Sequence, residues 1–283
     1  MRNITNGLWL SVAMLAFAAN SLLCRMALLE GSIDPASFTS IRLISGAFTL
    51  FLLTYWNGIR AFSFGSLSGA VALFVYASGF SFAYISMSTG TGALILFGSV
   101  QLTMLVWGFF HGERFSLWQW LGLGAAVAGL VVLLLPGLSA PPMSSAALMT
   151  MAGIGWGAYS LLGRAAGAPL AMTAGNFLFT VPLAVVLHLA LAQPVNWQSM
   201  GVACALLSGV VTSGLGYAIW YRVVKFLAAS QAATVQLSVP VLAMLLGWVF
   251  LGEVISGQML LASACILGGI GLVINRRKAE ASK

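Results

Sequence analysis

Charge is what this chain has least of. Lysine and arginine number 12 and aspartate and glutamate 5, so 6% of its 283 residues are charged, against roughly 25% in a soluble domain. A water-facing surface cannot be built from so few. Cysteine is nearly absent: Cys24, Cys204 and Cys265 all stand inside apolar runs. Their odd count and lack of metal-ligand spacing argue against a disulfide framework or a metal centre, and read as small buried hydrophobes. The two histidines, His111 and His188, sit near the ends of apolar runs without an acid partner at depth. No Ser/His/Asp set, His/Cys cluster, phosphate-cradling Gly-Lys loop or dinucleotide fingerprint occurs, so no enzyme, cofactor or metal is expected. The net charge of +7 is scattered over connections, which is not the clustered basic footprint of a nucleic-acid binder.

What the chain has is apolar length. Hydrophobic residues make up 60%, in runs of ~20 residues, the helix length that crosses a ~30 Å hydrocarbon core. Nothing alternates as a membrane β-strand would. The lipid bilayer is therefore the expected solvent and the fold class all-α. Ten spans are expected, over 7–28, 36–56, 65–85, 89–110, 116–135, 144–165, 170–192, 197–226, 230–251 and 256–274. Arg2 followed by an apolar run and Ala16-Phe17-Ala18 imitates a signal peptide, but the apolar character continues beyond the mock cleavage site. Ten spans put ten of the twelve basic residues on the side of the N-terminus and leave Arg25 and Arg42 for the other. The excess of Lys and Arg in cytoplasmic loops then predicts that both termini are cytoplasmic.

The chain also contains one stretch twice. Ser99 to Glu113 reappears as Val239 to Glu253, with Leu102/Leu242, Met104/Met244, Leu105/Leu245, Phe110/Phe250, Gly112/Gly252 and Glu113/Glu253 identical. Ser21-Leu22-Leu23-Cys24-Arg25 matches Ser160-Leu161-Leu162-Gly163-Arg164 at nearly the same offset. A constant offset implies a duplicated unit, here residues 1–137 and 138–283, divided near the Pro136–Pro142 linker. Five spans per unit turn the second copy upside down. Inverted repeats are the construction of many secondary transporters, with the substrate at the midplane between them.

Polar groups at depth should then face inward, because lipid does not reward them. The third span offers Tyr76, Phe80 and Tyr84 on one helical face. The others contribute Asn20, Ser21, Ser99, Gln101, Trp156, Tyr159, Ser213, Tyr217, Trp220, Gln236 and Ser238. Together they predict an aromatic-walled cavity with a few hydrogen-bonding groups and no fixed charge, suited to neutral or zwitterionic planar molecules. The acids Glu30, Asp34, Glu113, Glu253 and Glu280 fall in connections or at span ends. Ion-coupled carriers commonly keep an ionisable group inside the membrane, so facilitated diffusion is expected and metal-ion or polyamine cargo is disfavoured. Glu113 and Glu253 read as helix-end or gating groups, and Pro240 as a kink in the ninth span.

The two five-span units, the Gly112-Glu113 and Gly252-Glu253 ends and Ser238-Val239-Pro240 together resemble the drug/metabolite transporter superfamily, in particular its EamA-type exporters. Val100-Gln101 departs from the proline that members often carry in the first copy. The resemblance implies export of small metabolites across a bacterial inner membrane, through a cavity formed by spans 1, 3, 4, 6, 8 and 9. The aromatic load is similar to the aromatic amino acid exporter branch, so aromatic and other neutral amino acids are the expected cargo, moved by alternating access. Rival expectations are a multidrug or quaternary-cation exporter of the same superfamily, a channel, and a membrane-embedded lipid-modifying enzyme. The sequence leaves the oligomeric state open and is compatible with a monomer.

Overall fold

In lipid each spanning segment must satisfy its own backbone, which leaves the helix as the form for long apolar runs. A computed structural model describes residues 2–29, 31–112, 114–137, 140–164, 167–191, 197–224 and 235–281, and among them it contains helices and no strand. The helices are α1 (Arg2–Leu29), α2 (Pro35–Trp56), α3 (Leu67–Ala83), α4 (Thr89–Phe110), α5 (Leu117–Leu134), α6 (Met143–Arg164) and α7 (Pro169–Leu191). Next come α8 (Ser199–Leu207), a π-helical stretch (Ser208–Leu215) and α9 (Gly216–Val224), which follow one another without a break as a single rod. α10 (Ser238–Leu251) and α11 (Gly257–Ala281) complete the chain. A 3₁₀ turn at Ala61–Phe64 precedes α3.

Eight of these segments are long and apolar enough to cross a membrane. α3 and α10 are apolar but shorter than expected. For α10 the difference lies at Leu237, a turn that interrupts the helix three residues before Pro240. Pro240 stands in the first turn of α10, just after this break, where its missing N–H removes no intrahelical bond. Residues 225–234, which hold the start of the ninth expected span, lie outside the described residues.

Local chemistry fixes the ends. Asp34 caps α2 by accepting from the Ser37 N–H at 2.9 Å, with Pro35 opening the first turn. Ser66 and Ser88 cap α3 and α4 in the same way. Gly112 and Gly252, equivalent positions of the two repeated stretches, both take a left-handed backbone, with φ of 89° and 63°, the usual way for a helix to stop.

α5 and α11 pack along each other at one edge, where Gly122 and Gly269 let the two backbones touch. The other main contacts are α1 with the α8–α9 rod and with α10, α3 with α6 and α7, α2 with α7 and with the rod, and α4 with α6 and α10. α4 is the most enclosed of the eight long helices and α5 the least, with 61% and 28% of their apolar windows buried. The polar residues of interest lie on the enclosed helices.

Candidate functional site

Seven of the expected wall residues, Asn20, Ser21, Tyr76, Phe80, Trp156, Ser213 and Tyr217, line one central pocket. Helical spacing brings them together: Tyr76 and Phe80 are one turn apart on α3, and their rings meet at 5.5 Å. Trp156 of α6 bridges Tyr76 at 4.8 Å and Tyr217 of α9 at 5.2 Å. Phe17, Leu96, Phe97 and Thr212 complete the lining beside Ser21 and Ser213. The cavity that remains is only about 20 Å³, room for about one water. In this conformation the predicted hollow is filled by its own aromatic rings.

The residues lining the pocket carry no charge, but a charge stands directly behind them. Arg42, assigned from sequence to the outer side, lies inside α2 with 1% of its surface exposed. Its Nη2 donates to the Tyr76 hydroxyl at 3.0 Å and its Nε to Ser213 Oγ at 3.2 Å. The guanidinium carbon sits 5.1 Å from both the Tyr76 and the Phe80 ring centroid, within cation–π range. Nη1 has no partner. Among the described residues no ion pair reaches Arg42; the one recorded joins Arg25 and Glu253 at 3.4 Å.

The π stretch makes this arrangement possible, and nothing in the apolar pattern signalled it. Gly209 lies so close to α2 that a Cβ there would fall on the Arg42 carbonyl and the Ser45 hydroxyl. That approach delivers Ser208, Thr212 and Ser213 to the pocket. Ser208 and Thr212 donate to Asn20 Oδ1 at 2.6 and 3.0 Å, and Asn20 Nδ2 reaches the Tyr76 hydroxyl at 3.4 Å. π-helical turns are frequent at functional sites.

The other expected wall residues stand elsewhere. Tyr84 is buried behind Phe80, with its hydroxyl donating to the Thr89 carbonyl at 3.1 Å. Tyr159 stacks on Trp156 and donates to Thr173 at 3.0 Å. Trp220 packs edge-on against Phe17. Ser99 and Gln101 are buried on α4 without lining the pocket, and the Gln101 amide nitrogen lacks a partner. Gln236 is half-buried just before the break ahead of α10, and Ser238 is exposed, its hydroxyl donating to the Val235 carbonyl across that break. Being polar was a poor guide for these residues, because a helix hides a serine or glutamine against its neighbours as readily as in a cavity.

Glu253 is a helix-end group. Both its carboxylate oxygens accept from the Thr89 N–H, at 3.0 and 2.8 Å, at the N-terminus of α4, where the helix dipole favours a negative charge. Arg25 ties Glu253 to the end of α3 by donating to the Tyr84 and Ile85 carbonyls at 2.9 and 2.8 Å. Glu113, its repeat partner, lies outside the described residues. The histidines stand away from the pocket: His111 stacks on Trp107 at 3.9 Å, and His188 sits by Ser37 and Trp197. Among the described residues no cluster could hold a metal ion.

Residues 143–275 match the model of the EamA-like transporter family. An uncharacterised protein of Pseudomonas aeruginosa is 50% identical over 273 residues, covering 96% of this chain and 95% of that one. The chain belongs to the EamA-like transporter family. It is thus a multi-pass membrane protein. A probable terminal-alkyne amino-acid exporter of Streptantibioticus cattleyicolor is 28% identical over 221 residues, 75% of this chain and 72% of the relative. An uncharacterised transporter of Archaeoglobus fulgidus is 24% identical, with 89% and 91% covered. A crystal structure at TM-score 0.65 and 21% identity covers 95% of this chain and 99% of its own, so the two share a fold over nearly all of this chain. Both the central pocket and the Arg25–Glu253 contact involve elements from either side of residue 143, so the site draws on more than the matched half.

Proposed function

We propose that this EamA-like protein exports small amino acids and related metabolites, aromatic ones first, across the plasma membrane by alternating access. The observation that carries the proposal is the aromatic pocket at the meeting point of α1, α3, α4, α6 and the α8–α9 rod. The amino-acid exporter among the relatives supports the cargo class. The likeness to the aromatic amino acid branch rests on the rings of Tyr76, Phe80, Trp156 and Tyr217.

Alternating access needs two halves that exchange roles. Ten spans in two inverted units, 1–137 and 138–283, with both termini cytoplasmic, would supply them. The contact pattern supports this reading. Number the helical rods one to ten, counting α8 to α9 as the eighth. Exchanging each rod with the one five places on turns the 3–6 contact into 8–1, 4–6 into 9–1 and 2–8 into 7–3, while 5–10, 2–7 and 4–9 map onto themselves. Each of these contacts is present. The nearly closed pocket fits an occluded intermediate, with the substrate displacing ring against ring as the halves part.

Quaternary cations are a poor fit, because Arg42 puts a positive charge against the pocket wall. The test is counterflow in proteoliposomes with a panel of labelled amino acids. Saturable exchange of phenylalanine and tryptophan is expected. Non-saturating flux would turn the reading towards a channel, and flux of none of the panel would end it.

A further inference from the structure

We infer that the pocket is built to receive a carboxylate, and that Arg42 is the residue that selects it. The inference rests on the carrier reading above and narrows its substrate class to carboxylic and amino acids. Amines that lack the acid are excluded.

Arginine stays protonated in a protein. Here it is almost fully enclosed, roughly 10 Å along α2 from its start. An ionisable side chain inside a membrane-spanning segment ordinarily has a partner, or serves a pathway or ligand. Arg42 has two neutral oxygens and two ring faces, and no counter-charge in any described residue. Its free Nη1 is a donor left without an acceptor.

The direction of the surrounding hydrogen bonds says where the missing acceptor belongs. Arg42 and Asn20 both donate to the Tyr76 oxygen, and Arg42 donates to the Ser213 oxygen. Each hydroxyl therefore accepts, and its own hydrogen is left over. Both residues line the pocket. Two O–H donors on the wall, polarised by a cation directly behind them, form a receptor for an anion. Tyr76 and Ser213 make the contact, and Arg42 positions and polarises them. The rings of Trp156 and Tyr217, on the same pocket, then take the apolar end.

Three solutes with one aromatic ring test this: phenylalanine, 3-phenylpropionate, which lacks the amine, and 2-phenylethylamine, which lacks the acid. Each is titrated against labelled phenylalanine counterflow in proteoliposomes of the full chain. Phenylalanine and 3-phenylpropionate should compete, with phenylethylamine on the order of tenfold weaker or worse. In Arg42→Gln the discrimination between acid and amine should collapse, and Arg42→Lys should restore part of it. A purely structural role for Arg42 would lower flux while leaving that ratio unchanged. If Arg42→Gln does not fold, Tyr76→Phe keeps the ring and should raise the half-saturation for acids more than it lowers the maximal rate. Equal competition by phenylethylamine in the wild type, or an unchanged ratio in Arg42→Gln, overturns the inference while the carrier reading stands. Phenylalanine flux that is absent altogether overturns both.

Discussion

Arg25 and Arg42 are both arginines in apolar helices, and the fold treats them in opposite ways. Arg25 meets a carboxylate and two helix-end carbonyls, which answers most of its charge. Arg42 meets hydroxyls and rings alone. The sequence could not separate them, because one charge barely changes the apolar average of a long run, and both were assigned to the outer side. The serines of α2 gave no face to read: Ser45 lies near Arg42, but Ser37 and Ser40 turn to His188 and Ala184 of α7. Tyr84 was misplaced for a related reason. Tyr76, Phe80 and Tyr84 do share one face, but the pocket ends at Phe80 and Tyr84 continues into the α3–α4 turn. Tyr84→Phe should therefore leave the substrate profile unchanged. It loses one neutral hydrogen bond, about 1 kcal/mol, or a melting point about 2–4 °C lower. Thermal unfolding in detergent together with the amino-acid panel would check it, and a selective loss of aromatic substrates would return Tyr84 to the wall.

At the scale of elements, the long helices could be read because their apolar runs have membrane length and their starts carry Asp34, Ser66, Ser88 and Ser116 as caps. The π stretch could not. Its residues, Ser-Gly-Val-Val-Thr-Ser-Gly-Leu, continue the apolar run, and the wider turn follows from packing against α2 rather than from local preference. Gly209 is the residue on which that packing turns. Ser45 Oγ could rotate away from an added Cβ, but the Arg42 carbonyl is backbone and cannot. Gly209→Ala should thus part the rod from α2, destabilising by about 1–3 kcal/mol and pulling Ser213 away from Arg42. Gly124→Ala and Gly268→Ala, where an added Cβ meets nothing within 4 Å, should be silent in both melting and flux. Equal behaviour of the three variants would show that the close approach is not needed.

At the scale of the molecule, the Arg25–Glu253 contact joins α1, the α3–α4 turn and the end of α10 on one face of the bundle, the face reached by the C-terminal end of α1. Glu253→Gln keeps the shape and removes the charge. Hydrogen bonds to a charged group contribute about 1.5–3 kcal/mol each, and about 1.4 kcal/mol is tenfold in a two-state population. If the contact holds that face shut, Ser21→Cys in a chain with its native cysteines replaced by alanine should label several-fold faster in the Glu253→Gln background, using an impermeant maleimide applied from that face. An unchanged rate would leave Glu253 as a cap of α4 and nothing more.

In the proposed carrier, energy coupling is decided at the same scale, by which charges can change during transport. The carboxylates of Asp34 and Glu253 stand at helix ends, where one caps α2 and the other caps α4. Arg42, the charge beside the pocket, keeps its proton through any cycle. A carrier that moves a proton with its substrate needs a group that binds and releases one at depth, and among the described residues neither the helix-end acids Asp34 and Glu253 nor Arg42 meets that requirement. Flux should therefore follow the substrate gradient alone. In proteoliposomes loaded with labelled phenylalanine, efflux should level off at equal concentrations inside and out. Imposing a pH difference of either sign should not move that endpoint, and accumulation beyond it under a pH difference would mean that a proton-binding group takes part in the cycle.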